Sequence, residues 1–120
     1  MKFPTSLRTI GQGAFAKCKS LRTAKLNEGL EVLGTDEYPM CDDMYHGVFE
    51  RSALENVELP STLKKIEYSA FQCCDNLRSI DLPDKLETIG MHCFSWSSLE
   101  KIVLPPNVKK VGLDAFRGCE

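Results

Sequence analysis

Apolar residues return along this chain at a period much longer than that of a helix or a strand. Leu54-Glu-Asn-Val-Glu-Leu-Pro60, Leu77-Arg-Ser-Ile-Asp-Leu-Pro83 and Leu99-Glu-Lys-Ile-Val-Leu-Pro105 start 23 and 22 residues apart. In each, apolar residues alternate with polar ones near the end, which predicts a short strand with one face buried. Pro closes it, because Pro cannot donate the next ladder hydrogen bond. A second extended segment follows in each copy: Leu63-Lys-Lys-Ile66, Leu86-Glu-Thr-Ile89 and Val108-Lys-Lys-Val111. Then comes a turn marked by Ala70-Phe71, Cys93-Phe94 and Ala115-Phe116. The same unit runs from Leu21 to Phe49, lengthened by 11 residues between Leu33 and Phe49. A truncated copy occupies the first 20 residues, with Phe3-Pro4, Leu7 to Ile10 and Ala14-Phe15 in the matching places. All six Phe residues fall on repeat positions.

Repeats of 22–23 residues fall in the leucine-rich-repeat range, where each unit buries its apolar face only by stacking on its neighbours. The fuller pattern Leu-x-x-Ile-x-Leu-Pro-x-x-Leu-x-x-Ile-Gly-x-x-Ala-Phe-x-x-Cys resembles the BspA-like leucine-rich repeats over essentially the whole chain. Departures are Asn27 for Pro, Glu67 for Gly, Val48 and Cys93 for Ala, Ser52 and Ser97 for Cys, and the insertion. None interrupts the apolar columns. The expected fold is a right-handed leucine-rich-repeat solenoid, an α/β-type repeat that is mostly β. It has parallel strands, and short turns or helical turns on the convex side. Its units are the truncated repeat 1–20 and repeats 21–53 (insertion 35–47), 54–76, 77–98 and 99–120. The resemblance implies surface recognition and adhesion, a cell-surface or secreted parent protein, and no catalytic residues or cofactor.

In-register stacking makes the columns explicit. Ala24, Val57, Ile80, Ile102 and Leu26, Leu59, Leu82, Leu104 point inward from the first segments. Ile10, Leu33, Ile66, Ile89 and Val111 do so from the second, and the Phe residues form a ladder at the turns. Outward positions alternate in sign: Arg22, Glu55, Arg78, Glu100 in one ladder and Arg8, Glu31, Lys64, Glu87, Lys109 in the other. Neighbouring coils can therefore pair their charges, which fixes register and leaves no single-sign stripe.

The remaining sequence features narrow the function. A net charge of −2 with interspersed signs argues against nucleic acid or an anionic membrane as partner. No apolar run exceeds three residues, too short for a membrane span or a signal-peptide core. Of the six cysteines, Cys18, Cys74 and Cys119 share one repeat position two layers apart, beyond disulfide reach. They read as small buried groups. The adjacent His92 and Cys93 could suggest a base and a thiol nucleophile, but Cys93 stands where the repeat has a buried Ala. Gly11-x-Gly13 lacks the flanking motif of a phosphate loop.

Three surfaces stand out. Insertion 35–47 carries Tyr38, Tyr45, Met40, Met44, Asp42, Asp43 and His46. It reads as a binding loop, a weak cation site, or a surface excursion packed on its own flank. The face of the first segments, the concave side in curved repeats, presents Lys2, Lys25, Glu58, Asp81, Val103 in one column and Thr23, Asn56, Ser79, Lys101 in another. The candidate ligand contacts are Lys25, Asn56, Glu58, Ser79, Asp81, Lys101, Val103, Tyr38 and Tyr45. Tyr68, Met91 and Leu113 form an apolar column near Trp96, where Gln12 stands in the first repeat. It reads either as contacts between turns or as a protein-contact patch. Neither end carries a polar cap, which points to a longer array or to self-association through uncapped ends. The expected function is non-enzymatic recognition of a protein or glycan ligand, with a structural spacer or self-associating scaffold as the alternative.

Overall fold

The structure, a computed structural model, describes residues 6–10, 14–34 and 47–119. Insertion residues 35–46, with Tyr38, Tyr45 and the possible cation ligands Asp42, Asp43 and His46, lie outside the described residues, as do Lys2, Gly11, Gln12 and Gly13. Seven short strands appear in chain order: β1 (Thr9–Ile10), β2 (Thr23–Lys25), β3 (Val32–Leu33), β4 (Asn56–Glu58), β5 (Lys65–Ile66), β6 (Thr88–Ile89) and β7 (Lys110–Val111). All pairings are parallel, and none of the described residues is helical. Parallel strands joined by turns within a 22–23-residue coil make this a leucine-rich-repeat solenoid of mostly β character. The convex-side connections are turns throughout the described residues.

The second extended segments form one five-stranded sheet, in the order β1-β3-β5-β6-β7. Register follows the repeat, with Leu33 beside Ile66 and Ile66 beside Ile89. Leu30, Leu33, Leu63, Ile66, Leu86 and Ile89 beneath it are fully buried. Coils approach closely where this segment leaves the sheet. A Cβ on Gly90 would collide with the backbone of Glu67 and Tyr68, and one on Gly112 with that of Gly90 and Met91.

The Ala-Phe side is a stack of β-turns. Phe15, Phe49, Phe71, Phe94 and Phe116 stack with ring centroids 5.4–5.5 Å apart and planes within 13° of parallel. Main-chain bonds join the coils here too, as in Phe71 N–H to Cys93 O (2.8 Å) and Phe94 N–H to Ala115 O (2.8 Å). Two positions per coil adopt the left-handed conformation. Ser69, His92 and Asp114 share one (φ 55–57°), and Lys17, Arg51, Cys73 and Trp96 share the other (φ 58–60°). Each is the third residue of a turn closed by an i to i+3 bond, the place where a type II turn requires positive φ. Most of these positions carry bulky side chains, so stacking must over-determine a conformation that costs about 1–2 kcal/mol per residue.

Proline begins a turn as well as ending a strand. The carbonyls of Pro60, Pro83 and Pro105 accept from the N–H groups of Leu63, Leu86 and Val108. Asn27 does the same for Leu30, and its amide donates to the Leu7 carbonyl of the preceding coil at 2.8 Å. The substitution of Asn for Pro is thus compensated by a new bond between coils.

The first segments depart from expectation. In-register stacking predicts one sheet here, yet only β2 and β4 pair as strands, and a single bridge joins Ser79 to Lys101. Among the described residues no main-chain hydrogen bond crosses between 54–59 and 77–82. The exposed ion pairs stop at the break as well. Arg22 pairs with Glu55 (2.7 Å) and Lys25 with Glu58 (3.8 Å) on one side, while Arg78 pairs with Glu100 (3.1 Å) on the other. Across the break the repeat sets Glu58 beside Asp81, and like charges directly opposite destabilise a strand pair.

The cysteine column also differs from a purely apolar reading. Cys74 Sγ donates to the Phe49 carbonyl (3.2 Å) and Cys119 Sγ to the Phe94 carbonyl (3.0 Å). Ser52 and Ser97 occupy the intervening layers, in contact with Cys74 (3.8 Å) and Cys119 (3.4 Å). The two cysteines thus donate to Phe carbonyls of the preceding coil, while Ser97 Oγ donates to the Phe94 carbonyl of its own coil at 2.8 Å. The five described cysteines are free thiols.

Candidate functional site

Alternation along the first segments turns Ala24 and Ile80 into the core and their neighbours outward. Lys25, Asn56, Glu58, Ser79, Asp81, Lys101 and Val103 are all exposed on this face. The structure therefore gathers seven of the nine sequence-derived contact residues on one surface. The other two, Tyr38 and Tyr45, lie outside the described residues.

Two troughs run along that surface. One of about 550 Å³ crosses the break in the sheet, walled by Thr23 to Lys25, Asn56 to Glu58 and Ser79 to Asp81. The second, of about 460 Å³, is walled by Ser79 to Leu82, Asp84 and Lys101 to Pro106. Ser79, Ile80 and Asp81 belong to both, so the troughs are continuous. The first is polar, with Lys25 held on Glu58. The second has a more apolar wall of Leu82, Ile102, Val103, Leu104 and the two prolines, with Asp81, Asp84 and Lys101 around it. Sequence reading missed Asp84, Leu104, Pro105 and Pro106 as parts of this surface. Asp84 follows Pro83 as Ser61 follows Pro60, and Ser61 already bonds Glu28 of the coil before it (2.8 Å). That column of polar residues was the available signal.

The other candidates resolve differently. Burial pushes the Cys93 thiol well above its ordinary range, so the thiolate needed for nucleophilic attack is disfavoured. His92 instead lies edge-on to Tyr68 at 6.2 Å. Among the described residues, His92 Nδ1 and Ser95 Oγ are buried without a partner. The equivalent pairs are joined in the flanking coils: Ser69 to Gln72 at 2.6 Å and Asp114 to Arg117 at 3.6 Å. Tyr68 and Met91 are partly buried, while Leu113 is 68% exposed, and a cleft of about 220 Å³ runs beside them. Trp96 is 54% exposed and its indole covers Gly118, where a Cβ would collide with the ring. Among the described residues no His, Cys, Asp and Glu groups cluster as a metal site. No described helix is long and apolar enough to cross a membrane.

Comparison with known proteins places this geometry. Among solved structures, the chain is similar to the leucine-rich repeat protein of T. pallidum (TM-score 0.80, 31% identity), over 98% of this chain and 53% of that one. It is also similar to a leucine-rich repeat protein from Bacteroides ovatus (TM-score 0.72, 28% identity), over 91% of this chain and 26% of that one. The chain thus spans about half the length of the first and about a quarter of the second. No curated protein matches it by sequence. The family model for the BspA-type leucine-rich repeat region matches in six copies over residues 1–120. With the 22–23-residue coil, the Phe stack and the parallel strands in place, the chain belongs to the BspA-type leucine-rich repeat family.

Proposed function

We propose that this chain is a non-enzymatic recognition module that holds a protein ligand against the face of its first extended segments. The observation that carries the reading is the continuous trough there, lined by four coils and rimmed by exposed polar side chains that the core does not use. Repeat solenoids offer such extended surfaces to macromolecules rather than closed pockets to small ones. A protein fits better than a glycan, because no aromatic side chain lines either trough to stack on a sugar ring. In the parent protein this fits adhesion at a cell surface or after secretion.

A spacer reading draws on the charge ladders, since Arg22–Glu55, Glu31–Lys64 and Arg78–Glu100 neutralise themselves between coils. Peptide display against the wild-type chain separates the two, with a triple variant (Glu58→Ala, Asp81→Ala, Lys101→Ala) as counter-target. A recognition module yields clones that lose binding to the variant. A spacer yields none that discriminate.

A further inference from the structure

Resting on that reading, we infer that the trough takes an extended polypeptide segment in which an aliphatic side chain stands next to a basic one. Lys25, Glu58, Asp81 and Val103 form one column along the trough. Its first two members satisfy each other at 3.8 Å. Asp81 has no ion pair or hydrogen bond among the described residues, and the repeat places it beside Glu58. Asp84 stands on the same trough. This end therefore calls for a cation from outside.

Val103 supplies the second half of the argument. It is 71% exposed in a column whose other members are charged, and it adjoins the half-exposed Leu104 and the prolines. An aliphatic side chain seated there removes apolar surface from water on both partners. The basic side chain and the aliphatic one must arrive together, since Asp81 and Val103 are successive positions of one column. An extended chain presents every second side chain on one face, about 6.5–7 Å apart, so a basic and an aliphatic residue two positions apart reach Asp81 and Val103 with their flexible ends. Lys101, on the same trough, faces a ligand acceptor, which main-chain carbonyls provide.

Fluorescence anisotropy of the 120-residue chain tests this with three labelled decapeptides: alternating Thr and Val with two Lys, the same with Glu for Lys, and the Lys peptide with Ser for Val. The Lys/Val peptide is expected to bind saturably, and the other two about tenfold or more weaker. Asp81→Lys should weaken the Lys/Val peptide by about threefold to tenfold and strengthen the Glu peptide. Circular dichroism of the variant confirms that this exposed substitution leaves the fold intact. Equal binding of the Lys and Glu peptides, no binding of any, or indifference to Asp81→Lys overturns the inference. If display clones still discriminate the triple variant in that case, recognition at this face stands and only its ligand chemistry falls.

Discussion

The two extended segments of each coil have similar apolar spacing, yet one builds a sheet through all five coils and the other stops between the second and third full ones. The difference lies in what surrounds the strands. Beneath the continuous sheet, Leu33, Ile66 and Ile89 are fully buried, and Gly90 and Gly112 let the backbones approach closely. On the broken side, Val57, Leu59 and Leu82 are only partly buried, and the repeat sets Glu58 at the position next to Asp81. The apolar spacing is similar on the two sides, and what differs is the depth of packing and the charge pattern. The side that gave up its ladder is also the side with the trough.

That contrast can be broken or sharpened by measurement. The largest effect is expected from Phe71→Ala, which removes a fully buried ring stacked on both sides and should cost about 3–5 kcal/mol in urea unfolding. A loss under about 1 kcal/mol would mean the turn side does not anchor the coils. Next comes pH. Burial pushes the Cys74 thiol up to about 12, so between pH 9 and 12 the fold holds a proton that the unfolded chain has released. Stability from this group is complete below pH 9 and falls as pH rises, by roughly 2–3 kcal/mol at pH 11. Cys74→Ser, matching Ser52 and Ser97 in the same column, should make the alkaline slope of thermal unfolding shallower, leaving the part that the buried Cys93 contributes.

Smaller effects probe the sheets themselves. Gly90→Ala drives a Cβ into the neighbouring backbone and should destabilise by about 1–3 kcal/mol, with amide protection lost first around Glu67. Asp81→Lys replaces the like charge opposite Glu58 with an attractive one. It should stabilise by about 0.5–1 kcal/mol and raise hydrogen-exchange protection along 56–58 and 79–81. Unchanged protection would show that charge is not what holds the break open. The smallest change is expected for Arg22→Ala, at about 0.2–1 kcal/mol and vanishing in high salt, because its pair with Glu55 is exposed.

The amino-acid sequence by itself determined the coil, its period and nearly all of its interior. Leu, Ile, Val and Phe recur at fixed places, and burial of those residue types is a local preference that a single chain displays openly. The exposure of the seven candidate residues on the first segments was legible for the same reason, since outward positions alternate with buried ones there. Only the tertiary structure decided three further things. The left-handed residues Ser69, His92, Lys17 and Trp96 carry no signature, because the stacked turns impose their φ against local preference. Cys74 and Cys119 donate to Phe carbonyls that come from another coil. The break beside Asp81 depends on how neighbouring coils meet, a balance of packing, ladder hydrogen bonds of about 1 kcal/mol net each and opposed like charges that no single coil carries in its own sequence.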